Sequence, residues 1–195
     1  MNFRVELPEW AVQENQALPE FLPTVEERMQ TVIRFAERNF EEDTGGPFAA
    51  GIFEVQTGRV VIVGVNRVVP SGVSSAHAEI VAISLAQKKL ETFDLGGPGM
   101  PAYQLVVNGR PCAMCFGSIP WSGVRSVAIG ASGEQIETIA GFDEGPIHPQ
   151  WQAELRRRGI EVIENVMSAE AAKVFYRFAA SGQPIYNGRG GDPIE

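Results

Sequence analysis

Two short clusters, His77-Ala-Glu79 and Pro111-Cys112-Ala-Met-Cys115, take both cysteines and one of the two histidines of the chain. Three apart on a helix, Cys112 and Cys115 share a face, so both sulfurs can reach one ion. Pro111 suits a helix start, where free backbone N–H groups and the positive dipole end favour thiolate over thiol. His77 supplies a third protein ligand and leaves a fourth position for water, the open arrangement of catalytic zinc. A closed structural site needs a fourth protein ligand; with no third cysteine, the candidates are His148, far along the chain, or a carboxylate. Alone, the cysteine pair reads equally well as two small core residues or a redox pair; the histidine upstream tips the reading to zinc.

Glu79 is the general acid–base candidate beside the metal. Residues two apart on a regular helix diverge by about 200°. His77 and Glu79 can therefore share a pocket only if His77 sits at the first turn, after Ser74-Ser75. There a carboxylate can take a proton from zinc-activated water and pass it to a ring nitrogen and then to a departing amine.

The rest of the chain alternates strand-like and helix-like segments. Residues 1–23, with Pro8, Pro19 and Pro23, read as an irregular arm, followed by a single domain over residues 24–195 whose tail is 181–195. Thr24-Val-Glu-Glu27 has capping-box spacing, and Met29, Val32, Ile33, Ala36 and Phe40 form the apolar stripe of a helix ending before Gly45-Gly46-Pro47. Phe48–Val55 and Arg59–Val65 predict a hairpin split by Gln56-Thr57-Gly58. Helix is expected over Ala76–Leu90, Cys112–Trp121, Trp151–Arg158 and Ala169–Ala180, strand over Tyr103–Val107, Val124–Ile129 and Ile160–Ile163, and loop over residues 188–193. Helices of this length between strands imply a three-layer α/β/α fold, and the initial hairpin makes the sheet mixed, with roughly five strands.

Composition narrows the partners. The 195 residues, 44% hydrophobic, can bury one sizeable core. No apolar run approaches the roughly 18 residues of a membrane span, and no secretory leader is evident, so a cytoplasmic protein with reduced thiols is expected. The net charge of −8 repels a phosphate backbone, which makes nucleic acid an unlikely partner and a small neutral substrate an easier one.

The order H-x-E then P-C-x-x-C is the signature of zinc-dependent nucleobase deaminases, and on His77-Ala-Glu79-Ile and Pro111-Cys112-Ala-Met-Cys115-Phe-Gly-Ser-Ile the chain resembles the cytidine deaminase-like superfamily. Gly45-Gly46-Pro47-Phe48 and Phe142-Asp143-Glu144-Gly-Pro make it most similar to the bacterial guanine deaminase group. The resemblance implies one zinc per subunit on His77, Cys112 and Cys115, with Glu79 and Glu144 catalytic. It also implies Asn66 as a side-chain amide holding the base, Phe48 and Trp121 as aromatic pocket walls, and Tyr186 closing the pocket. Asp143 is adjacent to Glu144 and the two are not separated by sequence. Family members commonly form homodimers, often with the C-terminal segment contributing to the partner's pocket, and the resemblance implies the same arrangement here. Ser71-Gly-Val-Ser-Ser75 departs from the Asp-Pro-Thr common in this group before His-Ala-Glu.

Guanine presents N1–H and the 2-amino group as adjacent donors that a single carboxylate can accept together. The expected reaction is hydrolytic deamination of guanine to xanthine and ammonia. Its alternatives are adenosine deamination in tRNA, which needs a basic cleft, deamination of cytosine, cytidine, an aminotriazine or a pterin, and a non-catalytic zinc-stabilised interaction domain.

Overall fold

The computed structural model describes residues 4–188. Helix α1 spans Glu9–Ala17 and α2 spans Val25–Glu41; β1, Ala49–Glu54, turns back into β2, Val60–Val65. The short α3, Val68–Ser71, leads to α4, Ala78–Lys89, then β3, Tyr103–Gly109, and α5, Ala113–Ser122. After β4, Ser126–Ala131, come α6, Gly133–Ala140, α7, Trp151–Arg157, β5, Glu161–Ile163, and α8, Ser168–Ser181.

The five strands form one sheet in the order β2-β1-β3-β4-β5. The hairpin makes β1 antiparallel to both of its neighbours, β2 and β3, whereas β3, β4 and β5 run parallel. Side-chain alternation divides the core between the two sheet faces. Val106 of β3 packs with Phe35 of α2 and Phe175 of α8, while Leu105 and Val107 pack with Ala82 of α4 and Ile119 of α5. The molecule is the expected α/β/α sandwich on a mixed, five-stranded sheet.

Capping chemistry explains the sharp start of α2: Thr24 Oγ1 accepts from Glu27 N–H at 3.2 Å, and the Glu27 carboxylate accepts from Thr24 N–H at 2.9 Å. A second capping box, Ser132 with Gln135, starts α6, an element the sequence reading passed over. The larger correction concerns the arm. Glu9–Ala17 is helical, with Pro8 at its N-cap, where a missing N–H costs nothing. It lies against the sheet's outer strand, where Asn15 replaces a neighbouring strand: its Nδ2 donates to Val63 C=O at 2.9 Å and its Oδ1 accepts from Val63 N–H at 2.8 Å. The loop expected at 188–193 lies outside the described residues beyond Gly188.

Candidate active site

Two helix N-termini meet beyond the end of β3, and the residues at their caps are His77 and Cys112. His77 is the N-cap of α4, with extended φ and ψ of −66° and 154°, and Glu79 follows in the first turn. Because a cap residue is not bound to helical periodicity, the divergence expected of positions two apart does not apply, and both side chains enter one cavity. Cys112 is likewise extended at the N-cap of α5, and Cys115 is one turn inside.

His77, Cys112 and Cys115 offer ligand atoms that all lie within 4.8 Å of one another. Cys112 Sγ is 3.5 Å from His77 Nδ1. The Cys112 thiol is pushed down to about 4, first by the hydrogen bond from Cys115 and then by His77. The same hydrogen bond and burial push the Cys115 thiol well above the ordinary thiol range. The thiolate form favoured at Cys112 is the form that binds a cation. Two soft sulfurs and one imidazole with room for a further ligand fit zinc.

Glu79 and Glu144 face this trio from two sides. Burial pushes the Glu79 carboxyl up to about 7, with the Cys112 charge adding to it and His77 opposing it. Burial likewise pushes Glu144 up to about 8, reinforced by the charges on Cys112 and Glu79. Arg110 opposes that rise, its Nη2 standing 4.0 Å from Glu144 Oε2. Oε2 is buried with no hydrogen-bond partner, and so is the Tyr186 hydroxyl. Buried polar atoms left open on a cavity wall are groups for a ligand to satisfy.

The cavity measures about 320 Å³, enough for a bicyclic base. Phe48, Asn66, Glu144 and Tyr186 line it together with His77 and Glu79. Phe48 meets Phe142 edge-on at a centroid separation of 5.0 Å, and Phe142 meets Tyr186 at 5.1 Å. Asn66 is buried; its Oδ1 accepts from Val68 N–H at 3.2 Å, which leaves the amide nitrogen as its free donor. Glycines permit this closeness. A Cβ on Gly45 would stand 2.0 Å from Asn66 C=O, and one on Gly46 would stand 2.3 Å from the Tyr186 hydroxyl.

The structure separates Asp143 from Glu144. Both line the cavity, but Asp143 is exposed, its Oδ1 accepting from Gly145 N–H at 2.8 Å, whereas Glu144 is buried. It does not bring Trp121 to the cavity: that side chain is 87% exposed. Six residues carry it about 240° around α5 from the inward-facing Cys115. His148, the candidate fourth ligand of a closed site, is not grouped with the trio and lies in a loop with Nδ1 accepting from Gln150 N–H. Arg110, Phe142 and Asn187 also line the cavity and were missed. Asn187 accepts from Asp143 N–H and donates to Gly141 C=O, each at 2.9 Å, so the tail is tied over the 141–145 loop of its own chain. Only the position of Arg110 directly before Pro111-Cys112 was a signal; the other two depend on how the tail folds back.

The profile of the cytidine and deoxycytidylate deaminase zinc-binding region matches residues 23–131. The chain belongs to this deaminase family. It is a zinc-dependent aminohydrolase, and its cofactor is zinc. Guanine deaminase from Nitrosomonas europaea, a solved structure, is 43% identical, covers 92% of this chain and 98% of its own, and superposes with a TM-score of 0.87. A solved structure in complex with 2,6-diaminopurine is 44% identical over 96% of this chain and 98% of its own, with a TM-score of 0.89. Guanine deaminase from Bacillus subtilis is 32% identical over 123 residues, 63% of this chain and 73% of that protein.

Proposed function

We propose that this deaminase converts guanine to xanthine and ammonia. The observation that carries the reading is the buried Glu144 carboxyl with its unpartnered Oε2, placed in the same cavity as Glu79 and the metal-ligand trio. Guanine's N1–H and 2-amino group can both donate to that one carboxyl in its ionised form, a pairing that favours ionisation on binding and directs the amino-bearing C2 toward Glu79. Asn66 offers its amide N–H to an acceptor on the ring system, and Phe48 and Tyr186 enclose the base.

His77, Cys112 and Cys115 would hold zinc, which when bound acts as a Lewis acid that makes water nucleophilic near neutral pH. Glu79 takes a proton from the attacking water as the oxygen adds to C2, and delivers it to the neighbouring ring nitrogen. A carboxyl held near pH 7 is suited to moving protons in both directions. Glu79 then takes the hydroxyl proton of the tetrahedral adduct and, with Glu144, passes it to the amine. The C2–N bond breaks, ammonia leaves and the ring carbonyl of xanthine forms.

Ammonia release by zinc-loaded protein from guanine, adenine, cytosine, their nucleosides and a tRNA anticodon stem tests the assignment. Guanine is expected to be turned over at least about a hundredfold faster than adenine or cytosine, since neither offers the paired donors. Release from tRNA adenosine without release from guanine would overturn it.

The protein is further proposed to act as a homodimer that joins along α5. The helix AMCFGSIPWS contains no charged residue, and Met114 and Trp121, seven apart and so on one face, are both exposed. Sedimentation at micromolar concentration should return twice the chain mass, and Trp121→Glu should return one; a wild-type monomer would sink the proposal. Both cysteines are unpaired, which fits a reducing compartment such as the cytoplasm. Among the described residues no helix is long and apolar enough to cross a membrane.

A further inference from the structure

The matched family region begins at residue 23, yet α1 lies before it and is bonded into the wall that carries Asn66. Trp10 of α1 is buried, packed against Phe35 at 5.6 Å and covered by the Arg38 guanidinium 4.7 Å above its ring. Packing accounts for the ring, but its N–H has a separate destination. Nε1 donates to Thr44 Oγ1 at 3.0 Å. A hydroxyl that accepts there has one proton left to give, and both acceptors within reach belong to Asn39: Oδ1 at 2.9 Å and the backbone C=O at 3.0 Å.

Asn39 is fully buried on α2 and spends its whole side chain on this network. With Oδ1 accepting, its two N–H groups donate to Gly46 C=O at 2.8 Å and to Asn66 C=O at 2.9 Å. Asn66 is held from the other side by its own N–H, donated to Phe48 C=O at 2.9 Å. A connected set of hydrogen bonds therefore runs from Trp10 through Thr44 and Asn39 to the backbone of Asn66, and branches to the Gly46 turn that seats Tyr186. Every donor and acceptor along it is buried or half-buried, where losing one partner leaves the next unsatisfied.

We propose that the N-terminal helix is a positioning element of the base site, with Trp10, Thr44 and Asn39 acting in series on Asn66. The inference rests on Asn66 contacting the base. None of the three positioning residues lines the cavity, so they act on substrate only through what they hold. The arm thereby joins two tasks: through Asn15 it covers the sheet edge, and through Trp10 it sets the base-holding amide.

Guanine kinetics of zinc-loaded Trp10→Phe and Thr44→Val test this, with Asn66→Ala and the Trp10→Phe/Asn66→Ala pair alongside. Val keeps the shape of Thr44 and removes only its hydroxyl; Phe removes the N–H of Trp10 together with part of the ring, so the melting temperature is read beside KM to separate lost packing from the lost hydrogen bond. The loss of one buried hydrogen bond predicts a KM raised about threefold to tenfold in either single variant, with kcat within about twofold. Asn66→Ala should raise KM more, and Trp10→Phe should add nothing further in that background. A purely structural arm would instead lower the melting temperature and the fraction of active protein at unchanged KM. That result in both variants, or effects of Trp10→Phe and Asn66→Ala that simply multiply, overturns the inference while Asn66 keeps its role. An Asn66→Ala protein with unchanged KM removes the base contact itself, and the inference falls with it.

Discussion

Replacing Glu79 with Gln is expected to leave zinc bound and to cut kcat for guanine by about 10³- to 10⁴-fold. The magnitude follows from removing a general acid–base that serves both the addition and the amine departure. Gln keeps the size of the side chain but can neither take the water proton nor return it. Glu79 is not among the three ligand-bearing residues, so metal content by elemental analysis should remain at wild-type level. In wild type the carboxyl sits near 7 because burial raises it, which places both protonation states within reach of neutral pH. A variant with full zinc and near-wild-type turnover would end the assignment.

Glu144→Gln should move activity and stability in opposite directions. It is expected to lower kcat/KM for guanine by about a hundredfold, since an amide offers only one acceptor to the paired donors and relays no proton. Stability should rise with pH relative to wild type. The folded-state carboxyl is held at about 8 against an ordinary value of 4.5. Below pH 4.5 both folded and unfolded chains are protonated, and the ionisation contributes no difference. Between pH 4.5 and 8 the unfolded chain releases its proton and the folded one keeps it, so wild-type stability falls by up to about 1.4 kcal/mol per pH unit. Gln has no proton to lose and escapes this decline. The variant should therefore gain on the order of 4 kcal/mol at pH 8 and nothing from this source at pH 4, measured by urea unfolding. A pH-independent difference would show that the carboxyl is not held neutral in the fold. The cost of burying an ionisable group in the cavity wall without a hydrogen-bond partner is what makes the group available to substrate.

The elements were legible wherever burial imposed a period or an end residue imposed a cap. The α2 stripe from Met29 to Phe40, its Thr24–Glu27 box and the β1–β2 hairpin all lie close to their expected bounds. Helix α1 was hidden because only Trp10 and Ala11 of its nine residues are buried, too few to mark a face, and the flanking prolines read as loop. The site was legible in its chemistry, because few residue types bind zinc or move protons and they stand in a fixed order. It was not legible in its walls. The family resemblance placed Trp121 in the pocket wall, but the winding of α5 turns it to the surface, where its proposed partner is a second copy.

By itself the sequence determined the sheet and most of its helices, the candidate metal trio and Glu79, since each depends on residue type and short-range spacing. Only the tertiary structure decided that Glu144 rather than Asp143 is the buried acid, that Arg110, Phe142 and Asn187 line the cavity, and that Trp10 is bonded toward Asn66. Those outcomes depend on which atoms lose water when distant segments pack, from Trp10 in the arm to Asn187 in the tail. Desolvation and hydrogen-bond pairing are set by the assembled surroundings rather than by neighbours in the chain.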